Sequence, residues 1–303
     1  MVDVRPLEGR TAVVTGAARG LGAAIARELA ARGMRVALLG RDTDALDGVA
    51  AGLPTPARVY EADVTDDRAM ERTARRIRQE LGAPSVVVAN AGIAEGGPFE
   101  RSDPRTWRRV VEVNLIGSAV TARVFLPALL DTRGYFLQIA STAAFGAAPM
   151  MSAYCASKAG AESFARSLRA ELAHRGVSVG VAYVHWTDTS MIRDVERYAV
   201  LRELRAHMPP PARRIHPVGQ VAAWIARGVD RRSASVYAPP WLRLAQAVRP
   251  LFPMAVTLLS RRQLPRLLRE APLEGTGLLG RGGRIEEDHL ARTARDAGPD
   301  GRP

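Results

Sequence analysis

The stretch TAVVTGAARGLG, Thr11 to Gly22, decides how the rest of the chain is read. Its first half is a short apolar, β-branched run of the kind found in a buried strand. Its second half places Gly16, Gly20 and Gly22 at a turn that leads into an amphipathic stretch from Leu21 to Arg32. Glycines at a strand-to-helix turn let the backbone pass close to a pyrophosphate, and the helix N-terminus presents oriented N–H donors to it. Turns recruit glycine for other reasons as well. What makes this cluster informative is its place after the first strand of an alternating pattern.

Six further apolar runs follow: RVALLG, ARVYEADV, PSVVVAN, YFLQIAS, VSVGVAYV and ASVYAP. Between them lie amphipathic stretches such as Asp66 to Leu81, Arg105 to Leu130, Ala153 to His174 and Val218 to Asp230. Continuously apolar strands are expected where both faces of a sheet are covered. Strand and helix alternate, which calls for an α/β fold of Rossmann type, a doubly wound parallel sheet. The alternation stops near Trp241. We therefore expect a single domain over residues 1–240, with a substrate lid over about 190–217, and a basic amphipathic extension over 241–273. A poorly ordered tail is expected over 274–303, where the composition turns to Gly, Arg and Asp. A chain of 303 residues, 47% hydrophobic, is large enough to bury such a core.

Composition narrows the function classes. The single cysteine, Cys155, excludes an internal disulfide framework and a multi-cysteine metal site, so no metal is expected and a reducing compartment is. Helical geometry turns Cys155 about 100° from its neighbour Tyr154, which suits a packing role. The start shows neither a signal nor a transit pattern, which points to the cytoplasm. The formal charge of +12 comes from arginines spread along most helices, with no nucleic-acid recognition motif or aromatic stacking platform, so no nucleic-acid partner is expected. The segment Trp241 to Arg269 is different. It joins large apolar residues to six arginines without an acid, which suits either peripheral membrane contact or packing on the parent domain. Prolines 250, 253 and 265 should break it into short pieces.

With these pieces in place, the chain resembles the short-chain dehydrogenase/reductase family over roughly Gly9 to Pro239. The resemblance is carried by TGAARGLG, by Asp63-Val64, by NAG at Asn90 to Gly92, by VNLIG containing Asn114, by IAS ending at Ser141, and by YCASK. It implies a small-molecule carbonyl or alcohol substrate, a homodimer or homotetramer built on the long helices, and a nicotinamide dinucleotide. The cofactor-binding set it implies is Thr15, Gly16, Arg19, Gly20, Leu21, Gly22, Arg41, Asp63, Val64, Asn90, Ala91, Gly92, Tyr154, Lys158 and Thr189. The catalytic set it implies is Asn114, Ser141, Tyr154 and Lys158. Asp63 would contact the adenine end and Asn90 would shape its wall, although Asp63 could equally cap the helix that follows. Where an NAD enzyme carries a carboxylate at the end of the second strand, this chain has Gly40 followed by Arg41, and Arg19 lies in the glycine loop. Guanidinium groups suit a 2′-phosphate, so NADP(H) is favoured over NAD(H), with Asp42 as a competing ribose partner.

The chain has 43 basic residues and a single lysine, Lys158. Tyr154 and Lys158 are four apart on a helix, which stacks them on one face. A phenol with a reference pKa of about 10 needs roughly 4 kcal/mol of extra phenolate stabilisation to titrate three units lower. A neighbouring ammonium, helped by the positive ring of an oxidised cofactor, can provide it. In the family that ammonium also bonds the nicotinamide ribose and joins a proton relay, Ser141 stabilises charge on the substrate oxygen, and Asn114 holds a relay water. A compact three-donor head fits Lys158's tasks, and a planar guanidinium does not.

The pattern breaks once. Val184 and His185 stand where the family has a Pro-Gly pair, while Thr189 keeps its place, so the turn must be built differently. Beyond it, Met191, Ile192, Val195, Tyr198, Val200, Leu201, Leu204 and Met208 make an apolar lid and point to a hydrophobic substrate of lipid, steroid, polyketide or terpenoid class. The leading expectation is an NADP(H)-dependent oxidoreductase interconverting a carbonyl and a secondary alcohol. The alternative is a cofactor-sensing or scaffold protein on the same fold.

Overall fold

In the computed structural model, which describes residues 7–270 and 275–296, the seven apolar runs become the strands of one sheet. β1 (Thr11–Thr15), β2 (Arg35–Gly40), β3 (Ala57–Glu61), β4 (Pro84–Ala89), β5 (Tyr135–Ser141), β6 (Ser178–Val184) and β7 (Ser235–Ala238) pair in parallel in the order β3-β2-β1-β4-β5-β6-β7. Every residue of β1 and β4 is buried, because both faces are covered. Alternate residues feed two cores. Val13, Leu39, Val87 and Phe136 enter one with Met70 and Ile77 of α3 (Asp67–Leu81), Phe125 of α5 (Gly117–Thr132) and Ala165 of α6 (Ser152–Leu172). Val14, Leu38, Val88 and Leu137 enter the other with Ile25 and Leu29 of α1 (Gly20–Ala30), Leu46 of α2 (Thr43–Ala51) and Ile225 of α9 (Val218–Asp230).

Helix starts follow local chemistry. Asp42 and Asp66 accept from the N–H groups of Ala45 and Ala69 and so cap α2 and α3, and Asp103 caps α4 (Pro104–Val111) with Pro104 in its first turn. The cap before α3 is thus Asp66, while Asp63 accepts from the Thr65 N–H and hydroxyl at 2.9 and 2.7 Å. The expected long helix Arg105 to Leu130 is interrupted: Glu112–Ile116 form a π-helical turn between α4 and α5. The helical run Pro104–Thr132 is long and apolar enough to cross a membrane, yet 56% of its most apolar window is buried inside the fold.

The strand order reverses between β1 and β4, and a groove opens at the carboxyl ends of the strands there, where open α/β sheets bind ligands. The segment expected as a lid carries α7 (Ser190–Val195) and α8 (Ala199–Ala206). Beyond β7 come α10 (Leu242–Ala247) and α11 (Phe252–Glu270). Pro265 lies inside α11 without ending it, and Pro250 falls in the short turn before α11, so the extension has two helical pieces and fewer breaks than its prolines suggest. The expected poorly ordered tail also differs over residues 275–296. Leu278 pairs with Glu95 and α12 (Gly280–Asp296) packs against α7, because Leu278 and Leu279 are buried and Arg284 pairs with Asp194. The rest of that expected tail, 274 and 297–303, lies outside the described residues.

Candidate active site

The glycine loop joins β1 to α1. Gly16 adopts φ +64°, and a Cβ there would lie 2.8 Å from the Ala91 Cα. A Cβ on Gly22 would overlap the Gly16 carbonyl oxygen, so α1 can approach the loop only with glycine there. No side chain caps the N-terminus of α1. Its first N–H groups therefore remain available to an anion at the groove, which fits the pyrophosphate of a dinucleotide.

Thr15 does not line this groove. It is fully buried, and its Oγ1 accepts from the Asn90 and Ala91 N–H groups at 3.0 and 3.1 Å. Asn90 Nδ2 donates to the Thr15 and Gly16 carbonyls at 2.9 and 3.2 Å. Thr15 thus fastens the loop after β1 to the loop after β4. Gly16, Arg19, Gly20, Leu21, Gly22, Arg41, Asp63, Val64, Asn90, Ala91, Gly92, Tyr154, Lys158 and Thr189 all line the groove.

Charges at the far end of the groove are paired. Arg19 bonds Asp42, and Arg41 lies 3.4 Å from Asp63 and 2.7 Å from Glu286. Burial opposes ionisation of Asp63, but its bonds from Thr65 and the guanidinium groups of Arg109 and Arg41 outweigh it and hold the carboxyl below the usual range. Asp42 is held low in the same way, against its burial, by the Ala45 N–H and by Arg19. Glu286 and Arg109 escaped the sequence reading. Neither belongs to a motif, and each reaches the site only through the packing of its helix.

At the other end, Ser141 closes β5 while Tyr154 and Lys158 stand on α6. Burial pushes the Tyr154 phenol up, and its hydrogen bond with Ser141 only partly offsets this. The lowered phenol expected from sequence is therefore not produced by the polypeptide alone. Lys158, one turn further along α6, is buried as well. Burial brings its ammonium down to about 8, and Nζ donates to the Ile139 carbonyl at 3.2 Å and lies 5.8 Å from the Tyr154 ring centroid.

Asn114 is fully buried and does not line the groove. Its Oδ1 accepts from the Ile93 N–H, and its Nδ2 donates to the Ile93 carbonyl and Ser157 Oγ, each at 2.9 Å. The π-helical turn is what aims Asn114 at this junction of the β4 exit with α6. Cys155 Sγ is directed at the Ala148 carbonyl, 3.9 Å away, and burial pushes its thiol up, away from nucleophilic chemistry.

His185 builds the departing turn. Its Nε2 bonds the Ala212 carbonyl at 2.5 Å, and its Nδ1 bonds the Thr142 hydroxyl at 2.9 Å. A carbonyl only accepts, so Nε2 carries the proton and Nδ1 accepts from Thr142. Burial lowers His185 to about 4, which keeps it neutral and ties the lid to the segment after Ser141. The ring also meets Trp241 edge-on, with centroids 5.6 Å apart.

The groove totals about 1010 Å³. Beyond Tyr154 its wall is apolar: Met191, Leu204 and Met208 from the lid face Trp241, Val248 and Phe252 from the extension. Of the expected lid residues, Tyr198 and Val200 lie outside the lining, with Val200 buried and Tyr198 bonded to the Thr276 carbonyl.

Comparison with known proteins agrees with this architecture. The sequence model of the short chain dehydrogenase family matches residues 10–198. Nodulation protein G of Rhizobium sp. (strain N33) is 30% identical over 234 residues, 76% of this chain and 93% of that protein. The 3-oxoacyl-acyl-carrier-protein reductase FabG of Escherichia coli (strain K12) is 32% identical over 203 residues, 66% of this chain and 83% of the reductase. A short-chain type dehydrogenase/reductase from Mycobacterium marinum superposes with a TM-score of 0.70 at 25% identity, covering 78% of this chain and 96% of that one.

Proposed function

The chain belongs to the short-chain dehydrogenase family, and from that premise we propose that it interconverts a carbonyl and a secondary alcohol on a hydrophobic substrate with NADP(H). One observation carries this reading: Ser141, Tyr154 and Lys158 meet on the same groove that the glycine loop lines. The nicotinamide dinucleotide, when bound, supplies or accepts the hydride. The chain's own groups handle the proton. Tyr154 donates its hydroxyl proton to the substrate oxygen, and Ser141 Oγ donates a hydrogen bond that stabilises the charge developing there. Lys158 is a buried ammonium one helical turn away, able to stabilise the phenolate left behind. Asn114 acts by holding the β4 exit against α6, so it is a positioning residue in this account.

Preference for NADP(H) is supported by Gly40 in place of a carboxylate and by Arg19 and Arg41 at that end of the groove. A hydrophobic substrate is supported by the apolar arm between lid and extension. Calorimetric titration with NADPH and NADH tests the reading directly. Tighter NADPH binding is expected. Tighter NADH binding would overturn the cofactor preference, and failure of both to bind would favour a scaffold on this fold.

Two further parts of the proposal concern surfaces. α10, the turn after it and α11 expose Leu244, Leu251, Met254 and Leu258 along with Arg261, Arg262 and Arg266, which supports peripheral contact with an anionic membrane. Ile116, half exposed at the π-helical turn, supports a homo-oligomer built on α5 and α6.

A further inference from the structure

Residues 275–296 return across the groove as a strap. The Thr276 and Leu279 N–H groups donate to the Gly96 and Ala94 carbonyls, each at 2.8 Å. The Gly280 N–H and the Arg284 guanidinium both donate to Asp194 Oδ2, at 2.8 and 2.5 Å. From this anchorage Leu279, Gly283, Ile285 and Glu286 reach the groove lining.

Glu286 is only 4% exposed. One of its oxygens lies 2.7 Å from Arg41 Nη2, and the other accepts from Arg109 Nε at 2.7 Å. Arg109 also lies 2.6 Å from Asp63 and 3.3 Å from Glu112. Two guanidinium groups, Arg41 and Arg109, therefore face three carboxylates, Asp63, Glu112 and Glu286. Beside them Arg19 pairs with Asp42, and Arg281 of the strap is close enough to favour the ionised form of Asp42. The guanidinium best placed for a 2′-phosphate is thus already holding a carboxylate, one supplied from beyond the family-matched residues 10–198. A carboxylate bridging two guanidinium groups takes the forked contacts that a phosphate would take. The two anions repel if both are held there, most strongly where water is excluded.

We infer that Glu286 is a specificity-determining residue of the cofactor site: its carboxylate occupies Arg41 and Arg109 and has to be displaced before a 2′-phosphorylated nucleotide is held there. NADPH then competes with the strap, and NADH does not. The strength of the Glu286 pair sets how far the chain discriminates between the two. This inference rests on the proposed reading of the groove as a nicotinamide dinucleotide site.

The test isolates the 2′-phosphate from the hydride chemistry. Wild type and Glu286→Gln are titrated calorimetrically with adenosine 2′,5′-bisphosphate and with 5′-AMP. The variant should bind the bisphosphate about tenfold more tightly, with AMP changed less than about twofold. Adding Arg41→Gln should erase the gain. An unchanged ratio between the two nucleotides would sink the inference, whereas failure of both nucleotides and of NAD(P)H to bind wild type would instead sink the reading of the groove. A second measurement needs no variant. Trypsin cleavage of wild type after the exposed Arg281 and Arg284 should be faster with the bisphosphate than with AMP, because displacing Glu286 loosens the strap. Equal or greater protection by the bisphosphate would overturn the inference.

Discussion

Tyr154 and Lys158 are four positions apart, yet burial moves them in opposite directions: the phenol rises and the ammonium falls to about 8. Desolvation penalises whichever form is charged, and both side chains sit inside the fold. Two outcomes follow at this scale. Tyr154→Phe should keep nucleotide affinity and lose about 10²–10⁴-fold in kcat, measured by nicotinamide absorbance; retained turnover would exclude Tyr154 as the proton donor. Lys158→Met should also lose activity but raise the melting temperature at pH 7, since a buried charge disappears. The sign follows from linkage. The unfolded lysine, near 10.5, holds its proton above the pH at which the folded one near 8 releases it, so the wild-type fold gains stability as pH rises across that window. A lower melting temperature for the variant at pH 7 would contradict this. His185 supplies the acid counterpart. Its folded value of about 4 lies below 6.5, so stability is lost as pH falls between them, and His185→Gln should flatten that part of the acid-unfolding curve. These motif residues were legible in the sequence because helical spacing alone sets Tyr154 beside Lys158. The direction of the phenol's shift was not legible, since it depends on how deeply α6 is packed.

At the level of elements, local signals and tertiary packing divide the work unevenly. The glycine loop and the seven strands are written in short windows, and each came out where those windows placed it, whereas the cap of α3 is Asp66 and not Asp63. The helices of the extension did not follow their prolines. Pro265 forfeits one backbone hydrogen bond, yet α11 continues through it, with Phe252 packed on the core before it and Leu267 on the Val195 and Leu201 cluster after it. The outer face of these helices carries a testable consequence. Leu251→Asp with Met254→Asp should weaken sedimentation of the full-length chain with anionic vesicles without unfolding it, because both side chains are exposed. Equal sedimentation of both forms would remove membrane contact from the proposal. The π-helical turn at Glu112–Ile116 likewise had no legible signal: the sequence reads as one unbroken helix there, and only the bonds of Asn114 to Ile93 and Ser157 account for the extra residue.

For the whole molecule, the proposed homo-oligomer is checked by light scattering. Ile116→Glu places a charge on a half-exposed apolar position and should shift the mass from dimer or tetramer toward monomer; an unchanged mass would move the interface elsewhere. By itself the sequence determined the sheet, its two covered faces, the glycine loop and the helical pairing of Tyr154 with Lys158, while Ser141 joined them through the family resemblance. These depend on periods of two and 3.6 residues and on motif spacings that survive in one dimension. Only the tertiary structure decided that Thr15 and Asn114 brace the site from behind, that His185 ties the lid to Thr142, and that Glu286 closes on Arg41. Those contacts join residues far apart in the chain, where no local period operates. Their partners are chosen by which helix packs over which strand end, and that choice is made only when the core is complete.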